Sequence, residues 1–184
     1  GDFYIAIMTI INSIREVVSL PGQGLANASQ PVLGYNYGAK QYQRVLKGIR
    51  FTTLTCFLTS FVLWLSITLF PQLYIQIFSH NPDILKEGVQ AIHLYFFGFF
   101  MMAFQMSGQS IAVGLGKSKQ AVFFSIFRKV MIVVPLTFIL PIYIGIQGVF
   151  IAEAISNFIG GGACYLTMLL TIGKDLKKKV RTLE

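Results

Sequence analysis

Thr9, Asn12, Ser13, Glu16, Ser19, Gln23, Asn27 and Gln30, all able to hydrogen-bond, recur through the first apolar stretch of this 184-residue chain. Their steps of one, three or four residues follow the 3.6-residue turn of a helix, so they share one stripe. Amides, hydroxyls and one carboxylate in that pattern can hydrogen-bond a polar guest or water, and Glu16 can hold a proton or a cation. Arg15 sits at the shoulder of the stripe. Such a stripe is costly against hydrocarbon but not against a water-filled cavity or another helix. Two readings stay open. The stripe lines a passage or substrate cavity, or it knits helices together while Arg15 snorkels to an interface.

Two further groups carry the same kind of chemistry. Gln105 and Gln109 lie one turn apart, flanked by Met101, Met102 and Met106. Methionine is flexible and polarisable, which suits a surface that accepts varied apolar partners or simply fills a core. Glu153 and Asn157 are also one turn apart. The cavity candidates are therefore Asn12, Arg15, Glu16, Gln23, Asn27, Gln30, Met101, Gln105, Met106 and Gln109. Glu16, Glu153 and Asn157 are the candidates for ion coupling. His93 reads as a hydrogen-bonded structural residue, and Cys56 and Cys164 as packing residues. The sequence shows no Walker motif, GxSxG or metal-ligand spacing. No catalytic residue, metal or cofactor is expected, and the chain does not read as an enzyme.

The elements that must position these groups are membrane helices. Hydrophobic residues make up 54% of the chain and charged residues only 12%, about half the share of a soluble protein. A helix needs about 20 apolar residues to cross a bilayer. Five segments qualify, at about 3–33, 51–78, 89–115, 121–144 and 148–172, followed by a basic tail at 173–184. They lack the ten-residue alternation of a membrane barrel, so the fold class is all-α. Gly160, Gly161 and Gly162 predict a tight helix contact, and Pro135 and Pro141 predict kinks in the fourth span. The first span, about 46 Å long as a straight helix, must tilt or bend. Pro21, Gly22 and Gly24 predict a bend or hinge, and Pro31 predicts a second loosening.

The net charge of +8 would suggest nucleic acid in a soluble protein. Here thirteen of the fifteen Lys and Arg fall within 40–50, 117–129 and 174–181. With five spans these regions share one side, which the positive-inside rule makes cytoplasmic. The chain then starts outside and ends in the cytoplasm, with the lipid bilayer, not nucleic acid, as its partner. The opening GDFYIAIMTI has neither an initiator Met nor the basic start of a signal peptide, so a piece of a longer protein is expected.

The stretch SIREVVSLPGQGLANASQPVLGYNYGAKQYQRV resembles the start of the C-terminal half of the multidrug and toxic compound extrusion (MATE) family. The resembling residues are Pro21–Gly24, Ala26–Ser29, Gln30, Pro31 and Gly34–Ala39, followed by Lys40, Arg44 and Lys47. GLGKSK at 114–119 looks like the turn after the family's tenth helix. The resemblance implies one six-helix lobe of a twelve-helix, two-lobed transporter, with helices eight to twelve in this chain. It implies that helix seven and the N-terminal lobe lie outside the chain. It also implies export of small organic, mainly cationic or amphipathic compounds in exchange for Na⁺ or H⁺, across the cell's inner (plasma) membrane. The acidic residues of the family's sodium-coupled branch lie in helices seven and ten, and span three holds Gln105 and His93 but no Asp or Glu. The proton-coupled branch uses the absent N-terminal lobe. The coupling ion, Na⁺ or H⁺, is left open. A lipid-linked precursor flippase-like lobe and a non-transporting membrane scaffold are the alternatives.

Overall fold

The structure, a computed structural model, describes residues 2–145 and 147–183. Glu184, at the end of the expected tail, lies outside the described residues. Regular structure among the described residues is entirely helical. The elements are α1 (Asp2–Gly38), α2 (Tyr42–Leu69), α3 (Pro71–Gln76), α4 (Pro82–Tyr95), α5 (Met102–Gly114), α6 (Ser118–Ile126), α7 (Val134–Ile144), α8 (Gln147–Met168) and α9 (Lys174–Leu183). A 3-10 turn, Phe99–Met101, joins α4 to α5. π-helical stretches join α6 to α7 (Phe127–Val133) and α8 to α9 (Leu169–Gly173).

By length and composition, three helical runs among the described residues can cross a membrane: Phe3–Gly38, Tyr42–Leu69 and Gln147–Thr182. The pair Pro82–Tyr95 and Phe99–Gly114, bent by 42°, counts as a fourth if it is one broken span. The expected fourth span is helical from Ser118 to Ile144, but its apolar portion, Lys129–Ile144, is shorter. The expected tail is α9, a helix that continues the fifth span.

No chain break falls at Pro21 or Pro31. Helix α1 runs unbroken for 37 residues with both prolines inside it, so the expected bend or hinge at Pro21, Gly22, Gly24 and Pro31 does not interrupt the helix. Proline is tolerated within membrane helices. Between the two prolines, neighbouring helices bond to α1: Cys56 Sγ donates to the Gly22 carbonyl at 3.7 Å, and the Ser110 hydroxyl donates to the Ala26 carbonyl. The chain breaks instead at Phe70 (φ −127°, ψ 50°), where Pro71 starts α3, and at Gly98.

Gly98 has φ +78°, a region that L-residues with a Cβ avoid. A Cβ there would also lie 2.1 Å from the Phe158 ring. The aromatic run around it, Phe96 to Phe100, therefore turns a corner between α4 and α5. α1 and α5 cross closely. A Cβ on Gly34 would sit 2.8 Å from the Gly114 carbonyl oxygen. Of the three consecutive glycines in α8, Gly161 packs on the Met101 carbonyl, whereas Gly162 faces open space.

Apolar spacing in α1 explains its second face. Ile7, Ile11, Ile14 and Val18 recur every three or four residues and are all buried. They pack with Ile67, Ile75, Ile92, Phe96, Phe99 and Phe150 into a core at one end of the bundle. At the other end Leu33, Val45, Ile49, Ile111, Met168, Ile172 and Leu176 form a second core. The small residues Ala26, Cys56 and Ala103 join them in the middle. Much of the outward surface is apolar: Phe51, Leu58, Val62 and Leu69 on α2 and Phe138, Ile142 and Tyr143 on α7 are exposed. A water-facing surface would not carry this belt.

Candidate functional site

The polar stripe of α1 opens onto a cleft walled by α5 and α6. One part of the cleft, about 490 Å³, is lined by Gln23, Asn27 and Gln30 from α1, Met106 and Gln109 from α5 and Ser125 from α6. A second part, about 560 Å³, adds Arg15, Glu16, Ser19 and Lys129. The two share Gln23, Met102, Gln105, Gln109, Ser125 and Ile126, so they form one continuous space. Its size falls in the range of small-molecule pockets, about 300–1,000 Å³ for each part.

Side chains in the cleft hold one another in place. Gln23 Nε2 donates to Ser19 Oγ at 3.1 Å, and Ser19 Oγ donates to the Glu16 carbonyl at 2.9 Å. Gln30 Nε2 donates to Asn27 Oδ1 at 3.0 Å. Across the cleft, Gln109 Nε2 donates to Ser125 Oγ at 2.8 Å. Gln105 is buried at 7% exposure and also makes a polar contact. Each amide has further donor or acceptor capacity beyond one bond. The wall can thus offer hydrogen bonds without being reorganised, while Met102, Met106 and Ile126 supply an adaptable apolar surface.

Charge is concentrated at one end. Arg15 Nη1 lies 3.4 Å from Glu153 Oε1, with the two side chains 31% and 14% exposed. Arg15 Nε is buried without a hydrogen-bond partner. Glu16, the next residue, projects into the cleft, and its carboxylate forms no ion pair among the described residues. Lys129 faces the same space. No group of three or more His, Cys, Asp or Glu among the described residues is placed to hold a metal ion.

Eight of the ten cavity candidates line this cleft: Arg15, Glu16, Gln23, Asn27, Gln30, Gln105, Met106 and Gln109. Asn12 and Met101 do not line it. Asn12 Oδ1 accepts from the Tyr95 hydroxyl at 3.1 Å. The Thr9 and Ser13 hydroxyls bond back to their own helix. Of the ion candidates, Glu16 is in the cleft, whereas Glu153 and Asn157 lie behind it in α8, and Asn157 is only 2% exposed. Among the lining residues that the sequence did not single out are Ser125 and Lys129. Ser125 and Lys129 sit in a segment that reads as a plain apolar span. Their four-residue spacing, one helical turn, was the available signal.

Comparison with known families and structures follows the same outline. The family model MatE matches residues 1–139. Curated protein sequences give no match. Among solved structures, the chain is similar to an outward-facing multidrug resistance MATE family transporter of the MOP superfamily, with a TM-score of 0.89 and 22% identity over 97% of this chain and 40% of that one. An inward-facing structure of such a transporter aligns with a TM-score of 0.86 and 21% identity, covering 94% of this chain and 40% of that one. A MOP superfamily transporter from Pyrococcus furiosus, described as having a binding pocket of reverse polarity, aligns with a TM-score of 0.88 and 21% identity, covering 96% of this chain and 40% of that one. The chain thus spans about 40% of the length of the solved structures it matches.

Proposed function

The chain belongs to the MatE family of multidrug transporters, and from that premise we propose that the protein containing it exports small organic compounds in exchange for a cation, Na⁺ or H⁺. The chain supplies helices of one lobe. The missing partner lobe and seventh helix complete the passage, and the two bundles rock against each other around the bound compound. The observation that carries this reading is the cleft between α1, α5 and α6. It gathers Gln23, Gln105 and Gln109 on one continuous wall with Met102 and Met106. That combination suits apolar compounds bearing a few hydrogen-bonding groups.

Contacts at one end of the bundle support a reading of sidedness. Lys179 Nζ donates to the Tyr37 hydroxyl at 2.8 Å, and Lys117 lies 3.6 Å from Asp175. The end of α1, the α5–α6 connection and α9 therefore meet at one end of the bundle, and it carries most of the positive charge. On the positive-inside rule this end reads as cytoplasmic. The start of α1 is then outside.

Two other readings use the same fold. A flippase for a lipid-linked precursor needs net positive charge to hold a pyrophosphate. Here Arg15 and Lys129 stand against Glu16, and Arg15 is already paired with Glu153. A non-transporting scaffold needs no cleft chemistry. The test is dye efflux by the protein with its natural flanking sequence in vesicles carrying an imposed Na⁺ or H⁺ gradient. Uphill efflux driven by one gradient supports the proposal and identifies the ion. No efflux under either gradient overturns it.

A further inference from the structure

A second groove lies between the basic end of α2 and the α8–α9 run, and it shares no lining residue with the cleft. It encloses about 340 Å³. Its wall is apolar, formed mainly by Leu46, Ile49, Leu166, Met168, Leu169 and Leu170, and its rim carries Arg50, Lys174 and Lys177. No acidic residue lines it.

We propose that this groove binds one anionic phospholipid, with the phosphate among Arg50, Lys174 and Lys177 and an acyl chain along Leu166, Leu169 and Leu170. Three features argue for it. The three cations are exposed, and none forms an ion pair among the described residues. Asp175, the carboxylate beside them in α9, is engaged on another face by Lys117 at 3.6 Å and Lys179 at 3.3 Å. The charges and the apolar wall also meet where the span ends and α9 begins, which is headgroup depth for a helix of this length. Finally, the wall includes the π-helical stretch Leu169–Gly173. π-Bulges are rare and occur mostly at functional sites. The wider turn lets the consecutive residues Leu169 and Leu170 both line the groove.

The charge pattern selects the occupant. A zwitterionic lipid brings its own cation toward the three basic residues and gains less. Free phosphate would leave the apolar wall uncovered. Basic residues near the membrane surface each contribute to holding anionic lipid.

The experiment is native mass spectrometry of the detergent-purified protein with its natural flanking sequence. It is titrated with dioleoyl phosphatidylglycerol or dioleoyl phosphatidylcholine. The expected result is about a tenfold preference for phosphatidylglycerol. The variant Arg50→Gln/Lys174→Gln/Lys177→Gln should lose that preference. Lys178→Gln/Arg181→Gln, on exposed residues outside the groove, should keep it. Equal binding of the two lipids, or loss of preference in the control variant, overturns the proposal. Displacement of the lipid by millimolar inorganic phosphate would assign the site to free phosphate and overturn it too. If the triple variant fails to fold, Leu170→Trp keeps every charge. Brominated phosphatidylglycerol should quench that tryptophan more strongly than brominated phosphatidylcholine, and equal quenching contradicts the site.

Discussion

Glu16 and Glu153 look alike in the sequence, but their surroundings give them different work. Glu153 is mostly buried and faces Arg15 Nη1, while Arg15 Nε is buried without a hydrogen-bond partner. Removing one member of a buried pair costs about 3–5 kcal/mol. Arg15 is 31% exposed, so water compensates part of that, and Glu153→Gln should cost about 1–3 kcal/mol. Thermal unfolding in detergent checks this, and an unchanged melting temperature would show that the pair is slack. Glu16 projects into the cleft without an ion pair among the described residues. Glu16→Gln should keep stability within about 0.5 kcal/mol while changing the gradient dependence of efflux. The stripe containing Glu16 was legible because helical period alone places residues on one face. The Arg15–Glu153 contact was not, because it joins residues 138 positions apart and depends on how α1 meets α8.

Elements show the same division. Segment class and rough extent follow from apolar length, but breaks depend on contacts. The prolines of α1 mark no break, since the helix runs on through both. The corner at Gly98 was hidden inside an aromatic run that reads as uninterrupted hydrocarbon. Gly98→Ala should be severely destabilising. The left-handed backbone costs about 1–2 kcal/mol with a Cβ, and crowding Phe158 adds about 1–3 kcal/mol. Adding Phe158→Ala should relieve the crowding but not the backbone cost, so only part of the stability returns. Full recovery in calorimetry or thermal scans would refute the backbone share. Helix α9 shows apolar contact outweighing charge. Leu176 is fully buried, so Leu176→Ala should cost about 2–3 kcal/mol. Lys179→Gln removes a largely surface ion pair and hydrogen bond, worth at most about 1 kcal/mol. A spin label on α9 should be freed by the first change and only slightly loosened by the second.

At the scale of the whole molecule, two surfaces with opposite demands share one bundle. The outer belt on α2 and α7 is apolar, and the cleft between α1, α5 and α6 is lined with amides. Composition made the belt legible. The second wall of the cleft was not, because Ser125 and Lys129 are polar positions in an apolar segment and gain meaning only when α6 and the π-helical stretch after it are placed beside the cleft. The central claim is that this cleft is a water-accessible site for the exported compound. Its most direct test uses Gln109→Cys in the protein with its natural flanking sequence, with other cysteines replaced. A membrane-impermeant thiol reagent should label this position, and a transported compound should protect it in proportion to its occupancy. Leu58→Cys on the apolar belt should stay unlabelled. Labelling at position 109 that no transported compound slows, or an absence of labelling there, would contradict the account.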